Sequence, residues 1–541
     1  MPTKKLDGKA DGKLAWLISA VFQWMAGSLF FRGINAAMDW IVKLSRGSYI
    51  VGLFTADDEP QDAKLKGSFV VGLGDKLFNG IPKPLRMPAR WPALSSLFSG
   101  SWFIRTATDR LDTPIPPPVP HTGAGAIIAW GAYALPVWAL LVAVIALPVL
   151  PTMILAGILV PALFFALLSR RFVLDGTAVF LLLFIAVTLV AGVMSVAPAS
   201  SIPIAVLTSV FMLSTLLVTV CCKTRDSVDT MICGFVVASA IAGVVGIYQI
   251  LTDYTTPGAW LDMVLFTDIG LRLPSTFGNA NVYGTYLLLA IPVAAACIVY
   301  AKKTLFKLCA AGITGVLLLN LIATYSRGGY VSLALGAVVF VLIIRKQLVI
   351  VIIPALLGVL LVLPASVVNR LFSILNFDDT STIFRLNIWR GSLRMLGDFW
   401  PMGIGQGEYA FNRVYTYYSL GAIFTPHSHN LFMQVFIETG IVGFIVFLGI
   451  LACFIRSQAN FLRRVKEFRL RVFSAALVSA TVAFLAMGMF DYNFYNYRVM
   501  LAFYLFMGIG IAFTRLADPG RTREDTPQES EWVKGYHDQN D

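Results

Sequence analysis

The sequence predicts an all-α, polytopic membrane protein of about twelve transmembrane helices, with one large extracytoplasmic loop between the ninth and tenth. Three observations carry this. The chain is 57% hydrophobic and only 13% charged, against roughly 25% charged residues in a soluble domain. Its apolar runs have the length a bilayer requires, roughly 20 residues each. Basic residues cluster in alternate connections between those runs, as the positive-inside rule requires. The net charge of +12 follows from the same rule, and no nucleic-acid partner is expected.

Residues 1–125 form a region apart. A Gly-Ser-apolar-apolar unit recurs at Gly27-Ser28, Gly47-Ser48, Gly67-Ser68 and Gly100-Ser101. Serine is a good N-cap, so each unit can open a short helix. After Ser28, Phe30, Ile34, Met38, Ile41 and Leu44 share one face, flanked by Arg32 and Lys43. That pattern predicts amphipathic helices at the cytoplasmic membrane surface, with a soluble helical domain as the alternative. Pro114 to Pro120 make a stiff linker. No cleavable signal peptide is expected.

The membrane domain is expected over 126–515. Its candidate spans are 126–147, 149–168, 178–195, 202–221, 230–251, 282–300, 305–324, 329–344, 347–365, 430–455, 472–490 and 498–514. Arg170 and Arg171, Lys223 and Arg225, Lys302 to Lys307, Arg345 and Lys346, and Arg456 to Arg471 mark the cytoplasmic connections. Both termini then lie in the cytoplasm. The other connections contain no lysine, and their basic residues are arginines: Arg272, Arg327, Arg498 and those of 366–429. Residues 516–541 read as a solvated, disordered tail. The six cysteines show no metal-ligand spacing and no disulfide framework, and serve as small apolar residues.

The loop 366–429 carries Arg370, Arg385, Arg390, Arg394 and Arg413, and ends in Pro426-His427-Ser428-His429. Arginine is a permanently charged planar fork that binds phosphate oxygens in pairs. Any one of these arginines could instead pair with a nearby acid such as Asp398, Glu408 or Asp491. Arg327 lies in the tight connection Tyr325-Ser326-Arg327-Gly328-Gly329. Charge near hydrocarbon is costly there, so it marks a functional position. Arg272 precedes Pro274-Ser275-Thr276-Phe277-Gly278-Asn279, a turn rich in small polar groups. Arg385, Trp389, Arg390 and Arg394 fit an amphipathic helix over a phosphorylated head group, or one simply resting on the membrane.

Imidazole titrates near neutrality, which suits a general base at the start of the tenth span. His429 is the candidate, although a helix-start histidine can also serve only the backbone. His427 and His429 could begin a metal site, but a third and fourth ligand are wanting and no metal is expected. Glu438, within the span, is expected to orient His429 or to neutralise an arginine. Gly403-Ile404-Gly405-Gln406-Gly407 looks like a phosphate loop only superficially, since no Walker lysine follows.

Tyr325-Ser326-Arg327-Gly328-Gly329, Arg385 with Trp389, Pro401-x-Gly403-x-Gly405, His429-Asn430-Leu431 and Glu438-x-Gly440 together resemble the O-antigen ligase and polymerase-related membrane family. Ser275 to Asn281 is similar to that family as well. The resemblance covers about 270–445 and, more loosely, all twelve spans; residues 1–120 stand outside it. It implies an inverting, metal-independent glycosyltransferase of the GT-C type without a cofactor. The implied donor is a glycan on undecaprenyl pyrophosphate, at the outer face of the cytoplasmic membrane. The implied acceptor is a glycan or lipid-linked hydroxyl; membrane lipids and polysaccharide assembly proteins are further partners. By motif position, Arg272 and Arg327 bind pyrophosphate, helped by Arg385 and Arg390, and His429 is the base with Glu438 in support. Ligase and polymerase stay open, and so do a transporter or flippase of lipid-linked oligosaccharide and an envelope-assembly scaffold.

Overall fold

The computed structural model describes residues 124–169, 175–252, 272–372, 380–420 and 424–517. The expected amphipathic helices of 1–125 and the expected tail from 518 onward lie outside them. The described residues are helical and contain no strand, so the chain is an all-α polytopic membrane protein. Helices stand at all the expected spans: α1 Ala124–Ala146, α2 Thr152–Ser169, α3 Gly176–Val193, α4 Pro198–Cys221, α5 Arg225–Leu251, α6 Ala280–Tyr300, α7 Thr304–Ala323, α8 Arg327–Arg345 and α9 Val349–Val362. After a loop with three helices of its own, α10 Ala365–Phe372, α11 Thr380–Phe399 and α12 Glu408–Tyr415, come α13 Leu431–Arg464, α14 Phe468–Gly488 and α15 Tyr497–Ala517. Among the described residues, 9 helices are long and apolar enough to cross a membrane; Leu135–Ala146 and Thr152–Ala166 are shorter apolar helices.

Several helices begin where the sequence supplies a side-chain acceptor for the unsatisfied first-turn amides. Asp175 Oδ1 accepts from Ala178 N at 2.8 Å. Asn279 Oδ1 accepts from Asn281 N at 2.8 Å, Ser326 Oγ from Gly329 N at 3.3 Å, and Asn430 Oδ1 from Met433 N at 3.0 Å. The polar residues of three sequence motifs are therefore helix caps. They start α6, α8 and α13 at the same end of the bundle.

α15 lies at the centre: 89% of its apolar window is buried, against 28% for α7 and α8, which are peripheral. α4 packs on α15, and α14 packs between α6 and α8. The segment between α11 and α12 is docked into a break in α13. Gly440 leaves helical geometry at φ 67° and ψ −172°. The groups freed there are taken up by the incoming chain: Ile404 N donates to Ile437 O at 2.9 Å, Gly405 N to Glu438 O at 3.2 Å, and Ile441 N to Trp400 O at 2.8 Å. Gly403, with φ at 73°, lies so close that an added Cβ would meet the 437–440 backbone at 2.7 Å. The glycine-rich stretch is thus required by close approach to a kinked helix. Ile388, Met395, Phe411 and Tyr415 form a small core beneath the loop helices.

Candidate active site

Four chain segments from one end of the bundle meet at the site. Leu273 N donates to Ala323 O at 3.1 Å, which ties the start of α6 to the end of α7. Beside it the buried Arg272 donates from Nε to Thr324 O at 3.1 Å and from a terminal nitrogen to Asn281 Oδ1 at 2.6 Å. The guanidinium is thereby fixed a few residues from Arg327, the first residue of α8, which is also buried. Arg385 comes from α11 and is close enough to act on Arg272 by charge. Burial, then the positive charge of Arg385 and of Arg327, push the Arg272 guanidinium down to about 10, partly offset by Tyr330 and Asp491. An anion bound between these arginines would reverse the repulsive part of that effect. The N-termini of α6, α8, α13 and α15 lie at the same end, and their partial positive charge favours the same ligand.

His429 stands just before α13 in a left-handed backbone conformation, φ 50°. Trp389 Nε1 donates to its carbonyl at 3.3 Å, and its amide donates to His427 Nδ1 at 3.1 Å. Ser275 and Tyr325, at φ 47° and 50°, are the other non-glycine residues of this kind among those described. All three lie in the segments that build the site, where strained backbone is held by its surroundings.

Asp491, from the α14–α15 connection, was not among the sequence candidates. Its Oδ1 lies 3.0 Å from His429 Nδ1. Burial alone would raise this carboxyl, but the His429 hydrogen bond and the nearby positive charge of Arg385 oppose it, leaving Asp491 well below the usual carboxylate range. An ionised Asp491 accepts, so His429 Nδ1 is the donor, and in the neutral imidazole the lone pair is on Nε2. His427 differs. Burial first, then the neighbouring His429, push it down to about 3, so it is neutral. Its ring lies 4.2 Å from that of His429, centroid to centroid.

The partner of His429 is therefore Asp491, and Glu438 is placed elsewhere. Glu438 accepts from Gln434 Nε2 at 3.0 Å, from Tyr492 OH at 3.2 Å and from Gly407 N at 3.5 Å. The physical reason is helical geometry: Glu438 lies about two turns inside α13, whereas Asp491 arrives at the level of the helix ends. Arg390 is not brought into the cluster either. It lies on the exposed face of α11, while Arg385 and Trp389 are half-buried. Arg498 has a binding role within the protein: it donates to Pro148 O at 2.9 Å and Thr276 O at 2.6 Å, with Phe277 beneath it at 5.2 Å.

His427, His429 and Asp491 each offer a ligand atom, all within 4.8 Å of one another, which is the geometry of a partial metal site. His427 Nδ1 and His429 Nδ1 are already engaged, and Arg385 acts on both His427 and Asp491, so a dication would meet positive charge there. The cluster fits a base and its orienting carboxylate better.

Residues 312–448 match the family model described as O-Antigen ligase, which supports an O-antigen ligase-related family. The matched stretch includes Arg327, Arg385, His429 and Glu438; Arg272 and Asp491 join them only through the fold. The match supports a membrane glycosyltransferase of the O-antigen ligase or polymerase type. A comparison with curated proteins found no match.

Proposed function

We propose that the protein transfers a glycan from undecaprenyl pyrophosphate to an acceptor hydroxyl, at the outer face of the cytoplasmic membrane, with inversion and without a metal ion. The observation that carries this reading is the meeting of Arg272, Arg327 and Arg385 with an Asp491–His429 pair at one end of the helix bundle. Arginine forks suit a pyrophosphate, and a histidine with a free Nε2 lone pair suits a hydroxyl.

In this mechanism the acceptor hydroxyl gives its proton to His429 Nε2. Its oxygen forms a bond to the anomeric carbon while the bond from that carbon to the pyrophosphate oxygen breaks. The electron pair leaves with the pyrophosphate, and Arg272, Arg327 and Arg385 stabilise the charge that builds there. Asp491 holds the imidazole in the required tautomer and stabilises the imidazolium. A single displacement inverts the anomeric carbon. Both termini lie in the cytoplasm in this reading, which follows from the distribution of lysine and arginine. Glu438 serves the site indirectly, by holding Gln434, Tyr492 and the Gly407 amide.

The test is transfer by the full-length protein in lipid nanodiscs, from a purified pyrophosphate-linked donor, with and without chelator. Product is expected in both, with loss of turnover in His429→Ala. Near-normal transfer by His429→Ala would remove the base assignment. Chelator-sensitive transfer would remove the metal-free mechanism. Movement of intact donor across the bilayer without transfer would favour a flippase.

A further inference from the structure

Gln434 and Glu438 are one helical turn apart on α13, so their side chains share a face. Gln434 is buried, and both ends of its amide are used. Its Oε1 accepts from the amide of Ser428, the residue between the two histidines, at 2.8 Å. Its Nε2 donates to Glu438 Oε1 at 3.0 Å, and the other oxygen of Glu438 accepts from Tyr492 OH at 3.2 Å. Tyr492 N in turn donates to Asp491 Oδ1 at 2.9 Å. That same oxygen lies 3.0 Å from His429 Nδ1. The chain of contacts therefore closes on itself: it leaves His429 through Ser428 and returns to it through Asp491. Glutamine suits this position because one planar amide both accepts and donates. Leucine can do neither, and a lysine ammonium cannot accept.

Two features show what this ring of contacts holds. His429 has φ 50°, a conformation that a residue other than glycine keeps only when its surroundings enforce it. Ser428 is 0% exposed, so its amide has no water to turn to if Gln434 is lost. We propose that Gln434 is a positioning residue of this centre. Through Ser428 it fixes the backbone of His429, and through Glu438 and Tyr492 it sets the carboxylate of Asp491 against the imidazole. Asn430 also joins the two segments, by donating from Nδ2 to Met489 O at 2.9 Å. That contact ends on backbone two residues before Asp491, whereas the ring ends on the carboxylate itself. The part Gln434 plays in turnover rests on the transfer reading; its effect on the imidazole does not.

The test reads the tautomer of His429 directly. The full-length protein has only four histidines, so nitrogen NMR of the histidine-labelled protein in lipid nanodiscs can resolve this ring, with His429→Gln to assign its signal. In alkaline buffer the wild type is expected to hold His429 as the Nδ1–H form. Gln434→Leu should lower the ratio of Nδ1–H to Nε2–H by about fivefold, the worth of one hydrogen bond. Tyr492→Phe opens the ring on its far side by removing a single oxygen; it is the variant to read if Gln434→Leu does not fold, and the same direction is expected. The double variant should shift the ratio no further than the larger single one, because one ring is opened only once. In the transfer assay both single variants should lower kcat by about tenfold with donor affinity unchanged. An unchanged tautomer in both variants, whatever their Tm, would reduce Gln434 to a packing residue. Additive shifts in the double variant would mean two local contacts and no ring. The tautomer is read without substrate, so this proposal stands or falls apart from the transfer reading.

Discussion

The two sides of His427 are built from opposite materials. On one side lie His429, Asp491 and the arginines, where charge and strained backbone are concentrated. On the other lies a cavity lined by amides, hydroxyls, tyrosine rings and the carboxylates of Glu408 and Glu438, with no arginine or lysine among its described lining residues. The proposed reaction would combine two tasks, stabilising a leaving pyrophosphate and holding a sugar chain. Guanidinium groups suit the first because they add charge. They suit the second poorly, since a sugar hydroxyl gains little from a strong field and loses much from wrong geometry.

Substitutions can break this division, and the largest effect is expected at His429. His429→Ala should lower kcat by about 10²–10⁴-fold and leave donor binding largely intact, as single-turnover kinetics with separate donor binding would show. Arg327→Gln comes next, with a kcat loss of about 10²–10³-fold and weaker donor binding as well. Equal loss of binding and turnover at both positions would mean that the charged side is not divided into base and phosphate clamp. Asp491→Asn should cost about 10²-fold in kcat at unchanged donor affinity, because an amide can favour the wrong tautomer.

The smallest effect distinguishes the two histidines by stability. His427 is held down to about 3 in the fold, below its ordinary 6.5. Between those values an unfolded chain binds a proton there that the folded chain does not. Stability must then rise with pH across that window, and fall as the solution is acidified below about 6.5. Tm measured from pH 7 to 5 should therefore decline in the wild type and decline less in His427→Gln. Asp491 contributes in the same direction but lower: its depressed carboxyl stabilises the fold above the ordinary carboxylate value of 3.8, and that contribution is lost as pH falls below it. An unchanged slope in His427→Gln would mean that its imidazole is not protected from protons.

Much of the fold was legible because a bilayer imposes length and polarity on every span. The same constraint made Arg272 and Arg327 visible, since arginine at the end of an apolar run is conspicuous. Asp491 was not legible as the partner of His429, because a single acid in a short connection looks like any solvated acid. Glu438 drew attention for being inside a span, yet its hydrogen bonds are to Gln434, Tyr492 and Gly407. Arg385 and Arg390 could not be told apart by residue type. Their separation depends on which face of α11 packs down, and Ile388, Ser392 and Met395 decide that by burying the other side.

The sequence by itself determined an all-α membrane architecture, the similarity of 312–448 to the O-antigen ligase family, and the residue types from which the centre is made, because periodicity, hydropathy and local motifs are properties of neighbouring residues. Only the tertiary structure decided which acid meets His429 and which arginines converge. Those facts depend on segments as far apart as Arg272, His429 and Asp491 coming together, and helix packing alone brings them to one place.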